Sequence, residues 1–123
     1  MSAVIKRRQN IVFKKTVKNM TTLDVYRPEF DIVIRRYSEM RVLFDSLNEE
    51  WVNGGCVVTE EYTNKFGATN ERKTALYSSI EKLRSELTEL ENTLGMTPKG
   101  LKSIKKKGLE NKKKSALDLM FDG

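Results

Sequence analysis

Few residues in this sequence could act as catalysts, and none of them has the neighbouring groups that catalysis needs. The chain contains no His, which excludes a Ser-His-Asp triad, a His general base and a His metal ligand. Ser78 and Ser79 therefore have no base beside them, and Gly54-Gly55 is not followed by the Gly-Lys-Ser/Thr of a phosphate-binding loop. The carboxylates of the second half fall where ordinary helix-surface pairs with Lys82 and Arg84 explain them. We expect no enzymatic activity, no catalytic residue, no cofactor and no metal site.

The single cysteine, Cys56, excludes an intrachain disulfide and a cysteine cluster for zinc or iron–sulfur. It has no activating neighbour, so we interpret it as a small apolar side chain rather than a nucleophile. This cysteine usage fits a reducing, intracellular compartment. No apolar run approaches the roughly 18 residues that a membrane span needs, and no long apolar segment follows the basic start of the chain, as one would in a signal peptide. We therefore expect no membrane partner.

Basic residues are concentrated at the two ends of the chain. The sequence has 23 Lys and Arg against 17 Asp and Glu, a formal charge of +6. Residues 1–22 carry six bases and no acid, residues 98–123 carry eight lysines and three acids, and the middle is mildly acidic. The N-terminal bases are Lys6, Arg7, Arg8, Lys14, Lys15 and Lys18, and the C-terminal clusters are Lys105, Lys106, Lys107 and Lys112, Lys113, Lys114. This asymmetry predicts a polyanionic partner, most simply nucleic acid, although two solvated flexible ends are the alternative.

Two amphipathic helices are predicted to position these bases. Residues 3–20 have a helix-like apolar spacing with no Pro or Gly, until Thr21–Asp24 break the pattern. A second helix should begin near Arg27-Pro28-Glu29, where Pro is tolerated in the first turn, and end at Asn53-Gly54-Gly55. Its apolar residues recur every three or four positions: Phe30, Val33, Ile34, Tyr37, Met40, Phe44, Leu47 and Trp51.

The next segment is strand-prone. Val57–Thr59, Tyr62-Thr63 and Phe66-Gly67 favour extended structure, with a turn-like Asn64-Lys65 between the last two. A short β-hairpin and an extended loop both fit this pattern.

A long helix is predicted over residues 71–94, with Thr69 or Asn70 as its N-cap. Its apolar residues step by four and three in an a/d heptad seam formed by Leu76, Ile80, Leu83, Leu87, Leu90 and Leu94. Gly95 is placed to end the helix, and Thr97-Pro98 to cap and begin a short basic one. The seam could pack within the chain on the second helix as a helical hairpin, or it could also reach another subunit.

These elements predict an all-α fold of one domain with a modest core. Residues 1–53 form the basic N-terminal helix and the second amphipathic helix, and residues 54–69 form the extended or hairpin connector. Residues 70–104 form the heptad-patterned helix and the Thr-Pro-capped short helix, and residues 105–123 form a Lys-rich flexible tail. The tail ends in an apolar-acidic patch that either docks on a partner or rests on its own domain. The apolar members of that patch are Leu117, Leu119, Met120 and Phe121.

The first two helices could form a unit resembling a helix-turn-helix. Arg35, Arg36 and Arg41 lie on the second helix, where a reading helix would carry its base-contacting residues. The lysines of the first helix favour phosphates, which position a protein on DNA without specifying sequence. We therefore expect weak sequence selectivity per protomer, with affinity gained by repetition over several subunits.

The run Leu94-Gly95-Met96-Thr97-Pro98, which ends a Leu-rich helix and begins a short basic one, resembles the Leu-Gly-Leu-Thr-Pro signature of phage terminase small subunits. The earlier layout is similar as well. Thr22-Leu23-Asp24 precedes a helix with Ile34-Arg35-Arg36-Tyr37, and a Gly-Gly break, an extended connector and the long helix follow. The likeness covers roughly residues 20–104.

The resemblance implies a non-enzymatic subunit in the host cell cytoplasm. It would assemble into a homo-oligomeric ring, bind double-stranded viral DNA at the packaging start, and deliver it to the large subunit, which holds the ATPase and nuclease. We expect the six N-terminal bases to contact phosphates, Arg35 and Arg36 to read bases, and the C-terminal lysine clusters to form a second DNA or partner contact. The apolar tail residues are then candidates for docking the large subunit. The rivals are a dimeric helix-turn-helix regulator and a helical scaffold or adaptor without a nucleic-acid role.

Overall fold

The computed structural model describes residues 2–106, which are mostly helical, with one small β-hairpin. Helix α1 spans Ala3–Thr22, helix α2 spans Asp31–Asn53, and helix α3 spans Ala75–Thr93. Strands β1 (Thr59–Thr63) and β2 (Thr69–Lys73) separate α2 from α3, and helix α4 covers residues 98–106. The predicted helical fold is confirmed for this part of the chain, and of the two connectors that the sequence left open the structure contains the hairpin.

Local capping residues set the ends of α1 and α2. Ser2 accepts a hydrogen bond from the Ile5 amide at the start of α1, which satisfies one of the unpaired donors of the first turn. A single 3-10 turn, Pro28–Phe30, leads into α2. Helix α2 ends at Asn53 with Gly54 as its C-cap, and Gly55 follows with φ +94°, a conformation that side chains disfavour. Both predicted helices are therefore confirmed, and their ends lie close to the predicted residues.

The hairpin departs from the sequence prediction. Its turn runs from Asn64 to Ala68, so Phe66-Gly67 lie in the turn and not in a strand. The Asn64 side chain accepts hydrogen bonds from the amides of Phe66 and Ala68, and Gly67 supplies a φ of +85°. The turn is therefore longer than the predicted Asn64-Lys65 turn, because the hydrogen bonds of the Asn64 side chain extend it to Ala68.

Helix α3 begins later than predicted, because β2 occupies Thr69–Lys73. Thr74 is the N-cap, accepting a 3.1 Å hydrogen bond from the Tyr77 amide, so the predicted caps Thr69 and Asn70 are wrong. The cross-strand pair of Arg72 and Glu60, with a 3.2 Å Nε–Oε1 contact, holds β2 against β1.

Helix α2 lies between α1 and α3 and runs antiparallel to both. At one end Trp51 of α2 packs against Tyr77 of α3, with ring centroids 5.7 Å apart. At the other end Leu94 shares a core with residues of α2, of the end of α1, and of the α1–α2 turn. The buried members of this core are Met20, Val25, Ile34, Tyr37, Leu87 and Leu94. The core therefore lies at the end of the molecule opposite the hairpin.

The corner between α3 and α4 shows what Leu94, Gly95 and Thr97 of the Leu-Gly-Met-Thr-Pro run do in the structure. Leu94 is fully buried, and Gly95 has φ +74°, a conformation that side chains disfavour. An added Cβ at Gly95 would lie 2.7 Å from Cδ1 of Ile104, which would have to shift. Thr97 caps α4 by accepting a 3.1 Å hydrogen bond from the Gly100 amide, and its hydroxyl also bonds the Asn92 side chain. The predicted glycine stop and threonine cap are both confirmed.

Candidate nucleic-acid interface

Helix α1 presents a face that carries only positive charge. Its packed side is formed by buried Thr16 and Met20 together with partly buried neighbours. All six N-terminal bases are exposed, and the helix has no acidic residue. At 100° per residue, Arg7, Lys14 and Lys18 share one stripe opposite the packed side. Arg8 and Lys15 lie beside this stripe, whereas Lys6 lies on the flank of the helix that also carries Phe13 and Val17. The amphipathic pattern of α1 thus points five of its six bases away from the core.

No carboxylate within the described residues neutralises these six bases. The ion pairs found in residues 2–106 join Arg41 to Asp45, Arg72 to Glu60, and Lys73 to Glu81. Arg8 and Asp45 line the same groove between α1 and α2. The Asp45 carboxylate, however, lies 3.5 Å from Nε of Arg41 and is paired with that residue. The basic face of α1 is therefore open to an external anion.

One of the two predicted base readers already has partners in the chain. Nη1 of Arg35 donates a 2.9 Å hydrogen bond to Oδ1 of Asn10, and its guanidinium carbon lies 4.3 Å from the centroid of the Phe13 ring. Both partners belong to α1, so Arg35 joins α2 to α1. Arg36 is exposed and has no hydrogen-bond or ion-pair partner within residues 2–106.

The heptad seam of α3 divides into two sets of three residues. Ile80, Leu87 and Leu94 are buried within the chain, whereas Leu76, Leu83 and Leu90 are half-buried. The packing of α3 along α2 confirms the predicted helical hairpin. The buried set is used within the chain, so any contact of the seam with another copy would have to be made by the half-buried set.

The C-terminal lysines fall only partly within the structure. Lys105 and Lys106 are exposed on α4. The remaining predicted residues of the tail, namely Lys107, Lys112, Lys113, Lys114, Leu117, Leu119, Met120 and Phe121, lie outside the described residues. Two further exposed lysines, Lys99 and Lys102, were not among the predicted site residues. Their signal was their spacing after Thr97-Pro98, on the side of α4 that Leu101 and Ile104 leave free.

Two further kinds of structural feature are absent from residues 2–106: a cluster of metal-ligating side chains and a membrane-spanning helix. Within residues 2–106 no three His, Cys, Asp or Glu side chains are grouped so that they could hold a metal ion. None of the helices described there combines the length and the apolar character that crossing a membrane requires.

Comparison with known proteins assigns the chain to a family. A model of the phage terminase small subunit matches residues 10–111, which is most of the chain. No curated protein and no solved structure matches it. The match covers α1 from Asn10 onward, all of α2, the hairpin, α3 and the described part of α4. The chain therefore belongs to the phage terminase small-subunit family.

Proposed function

We propose that this protein is the DNA-binding component of a phage packaging terminase. In this proposal it assembles as a ring, binds double-stranded viral DNA at the packaging start, and delivers that DNA to the large subunit. Membership of the family supports the packaging role and fits a non-catalytic subunit. The contacts with DNA, with other copies and with the large subunit are the parts that require experiment.

The observation that carries DNA binding is the acid-free, fully exposed basic face of α1. Three of its bases repeat at positions i, i+7 and i+11, so they stand in a row about 16 Å long at 1.5 Å per residue. Duplex DNA presents one charge per roughly 1.7 Å of its axis, so a row of this length meets several phosphates at once. Each neutralised phosphate releases counterions, which supplies affinity without reading sequence.

The proposed contact favours positioning over sequence reading. Lysines bind phosphates as point charges, and Ile11, which is 58% exposed within the basic row, has no hydrogen bond to offer a base edge. Arg35 is held by α1, which leaves Arg36 as the predicted reader on the open surface of α2. We therefore expect any sequence preference to depend on Arg36.

Self-association is supported by the apolar surface that one chain leaves exposed. The half-buried seam residues of α3, Leu76, Leu83 and Leu90, form this surface. The exposed α2 residues Ile32 and Leu43 share a face with Arg36, which the proposal leaves to DNA. In a closed symmetric ring the α3 face would be covered, and each copy would contribute one basic α1 to a repeated array. The apolar tail residues 117–121 are the proposed contact with the large subunit.

DNA binding is tested by neutralising the basic row. The variant R7Q/K14Q/K18Q should bind a duplex more weakly than the wild type in fluorescence anisotropy. The slope of log K against log salt should also fall in magnitude by about 2.7, since each lost phosphate contact removes about 0.9. The matched control K65Q/K82Q/R84Q removes the same charge from exposed residues of the hairpin and α3, and it should keep the wild-type slope. Wild-type binding by a chain in which all six N-terminal bases are neutralised would overturn the proposal.

Assembly is tested by native mass measurement without DNA. A closed oligomer of more than two copies supports the ring. A dimer that binds one short palindromic site tightly would instead favour a helix-turn-helix regulator. A monomer that ignores duplex DNA even in dilute buffer would favour a scaffold or adaptor.

A further inference from the structure

Helix α4 carries a second basic face. Residues 98–106 contain four lysines and no acid, and all four side chains are exposed. We propose that Lys99, Lys102 and Lys106 form a second, rigidly held site for the phosphate backbone of duplex DNA. This inference rests on the proposed function, and it adds to α1 a contact made by a different element.

The spacing of the three lysines places them in one row. They occupy positions i, i+3 and i+7 of a helix, which lie on the same side. The row spans about 10 Å at 1.5 Å per residue, a length over which one strand of a duplex presents about three phosphates. Lys105 lies beside this row and broadens it. The geometry therefore matches three charges of the protein to three of the nucleic acid.

The opposite side of α4 is fixed to the core. Leu101 and Ile104 pack against the buried cluster, and Ile104 closes over Gly95. An added Cβ at Gly100 would overlap the carbonyl oxygen of Asn92, so this glycine lets α4 pack directly on the backbone at the end of α3. The lysine row is therefore carried by an element whose orientation is set by packing.

Helix α4 also lies at the same end of the molecule as the last turn of α1. Met96, just before α4, lines a groove together with Asn19 and Leu23. Leu94 and Met20 are buried in the same core. The basic row of α1 ends at Lys18, in the turn that precedes Leu23, so both rows reach the same end of the molecule. One duplex lying across it could contact both helices.

The charge pattern of α4 is unfavourable for an isolated helix. Lys102 is three residues from Lys99 and Lys105 and four from Lys106, and like charges at these spacings repel each other. Within residues 2–106 no carboxylate lies within 4.0 Å of any of them. A bound polyanion would relieve this repulsion, which favours nucleic acid over a neutral or cationic partner.

The test is the salt dependence of duplex binding by the full-length variant K99Q/K102Q/K106Q. Gln has nearly the helix propensity of Lys, so the helical signal in circular dichroism should match the wild type. We expect the slope of log K against log salt to fall in magnitude by about 2.7, and the affinity near 0.1 M salt to fall by on the order of a hundredfold or more. The control K65Q/K82Q/R84Q should retain both values.

The outcomes separate this inference from the proposed function. If the wild type and the α4 variant bind with equal slopes while R7Q/K14Q/K18Q loses binding, the α4 site is refuted and DNA binding through α1 stands. If only K112Q/K113Q/K114Q lowers the slope, the second contact lies beyond α4 and the inference is again refuted. A wild type that does not bind any duplex overturns both proposals.

Discussion

The guanidinium of Arg35 stacks on the ring of Phe13, with 4.3 Å between its central carbon and the ring centroid. The same side chain donates a 2.9 Å hydrogen bond to Asn10, so one residue of α2 holds two residues of α1 on adjacent turns. This contact ties the middle of α1 to α2. It adds to the apolar packing that sets which side of α1 faces the solvent.

Replacing Arg35 with Ala should lower stability, because a cation–π contact and a hydrogen bond are lost together. We expect a loss of about 1 kcal/mol in the free energy of unfolding, measured by urea denaturation. A double-mutant cycle with Phe13→Leu should show that the two substitutions are not additive. The control Arg36→Ala removes the same charge and should leave stability nearly unchanged. Equal losses for Arg35→Ala and Arg36→Ala would contradict the contact.

Replacing Gly100 with Ala should destabilise the corner between α3 and α4. A methyl group at this position would overlap the carbonyl of Asn92, and backbone cannot move aside as a flexible side chain can. We expect a loss of about 3 kcal/mol or more, the upper end for overpacked sites, measured by thermal or chemical denaturation. Gly55→Ala is the comparison, because its φ of +94° is strained for Ala but its surroundings are open. Its cost should be smaller, about 1–2 kcal/mol.

The two sets of seam residues should respond differently to truncation. Leu87 is 2% exposed, so Leu87→Ala should cost about 2–5 kcal/mol in the free energy of unfolding. Leu83 is half-buried, so Leu83→Ala should cost less. If the half-buried set contacts another copy, Leu83→Ala should also shift the native mass toward smaller species at low protein concentration. An unchanged mass distribution would remove Leu83 from the proposed interface.

Ionisation of the Tyr37 phenol should lower the stability of the folded protein in alkaline solution. Burial raises the pKa of its phenol above the ordinary value of 10.0, and the negative charge of Glu91 raises it further. The folded chain therefore keeps this proton to a higher pH than the unfolded chain does. Its contribution to stability is complete below about pH 10 and is lost as the pH rises above that value. The drop in urea midpoint between pH 8 and pH 11 should be larger for the wild type than for Tyr37→Phe, and equal drops would argue against this effect.

The ends of the helices could be predicted because local chemistry sets them. Gly95 adopts φ +74°, and Thr97 caps α4, as the residue types alone indicated. The hairpin register could not be predicted in the same way. Glu71, Arg72 and Lys73 are acceptable in a helix, and it is the backbone pairing of β2 with β1, in which Arg72 lies opposite Glu60 twelve positions away, that places them in a strand.

In the candidate site, too, features set by neighbouring residues could be predicted from the sequence, and contacts between residues far apart in the chain could not. The basic face of α1 could be predicted, because residues 1–22 contain six bases and no acid. The contacts of Arg35 with Asn10 and Phe13 could not be predicted, because these residues come together only when α1 packs on α2. Lys99 and Lys102 are not among the predicted site residues, although their spacing after Pro98, the first residue of α4, indicates one basic side of that helix.

The sequence contains a single tryptophan, and its position makes it an intrinsic optical probe. The indole Nε1 of Trp51 donates a 2.8 Å hydrogen bond to the carbonyl of Val57, where the chain leaves α2 for the hairpin, and the ring packs beside Tyr77. Opening of the hairpin base would expose the indole to water and shift its fluorescence emission to longer wavelength. Movements at this end of the protein during assembly can therefore be followed in the unlabelled chain.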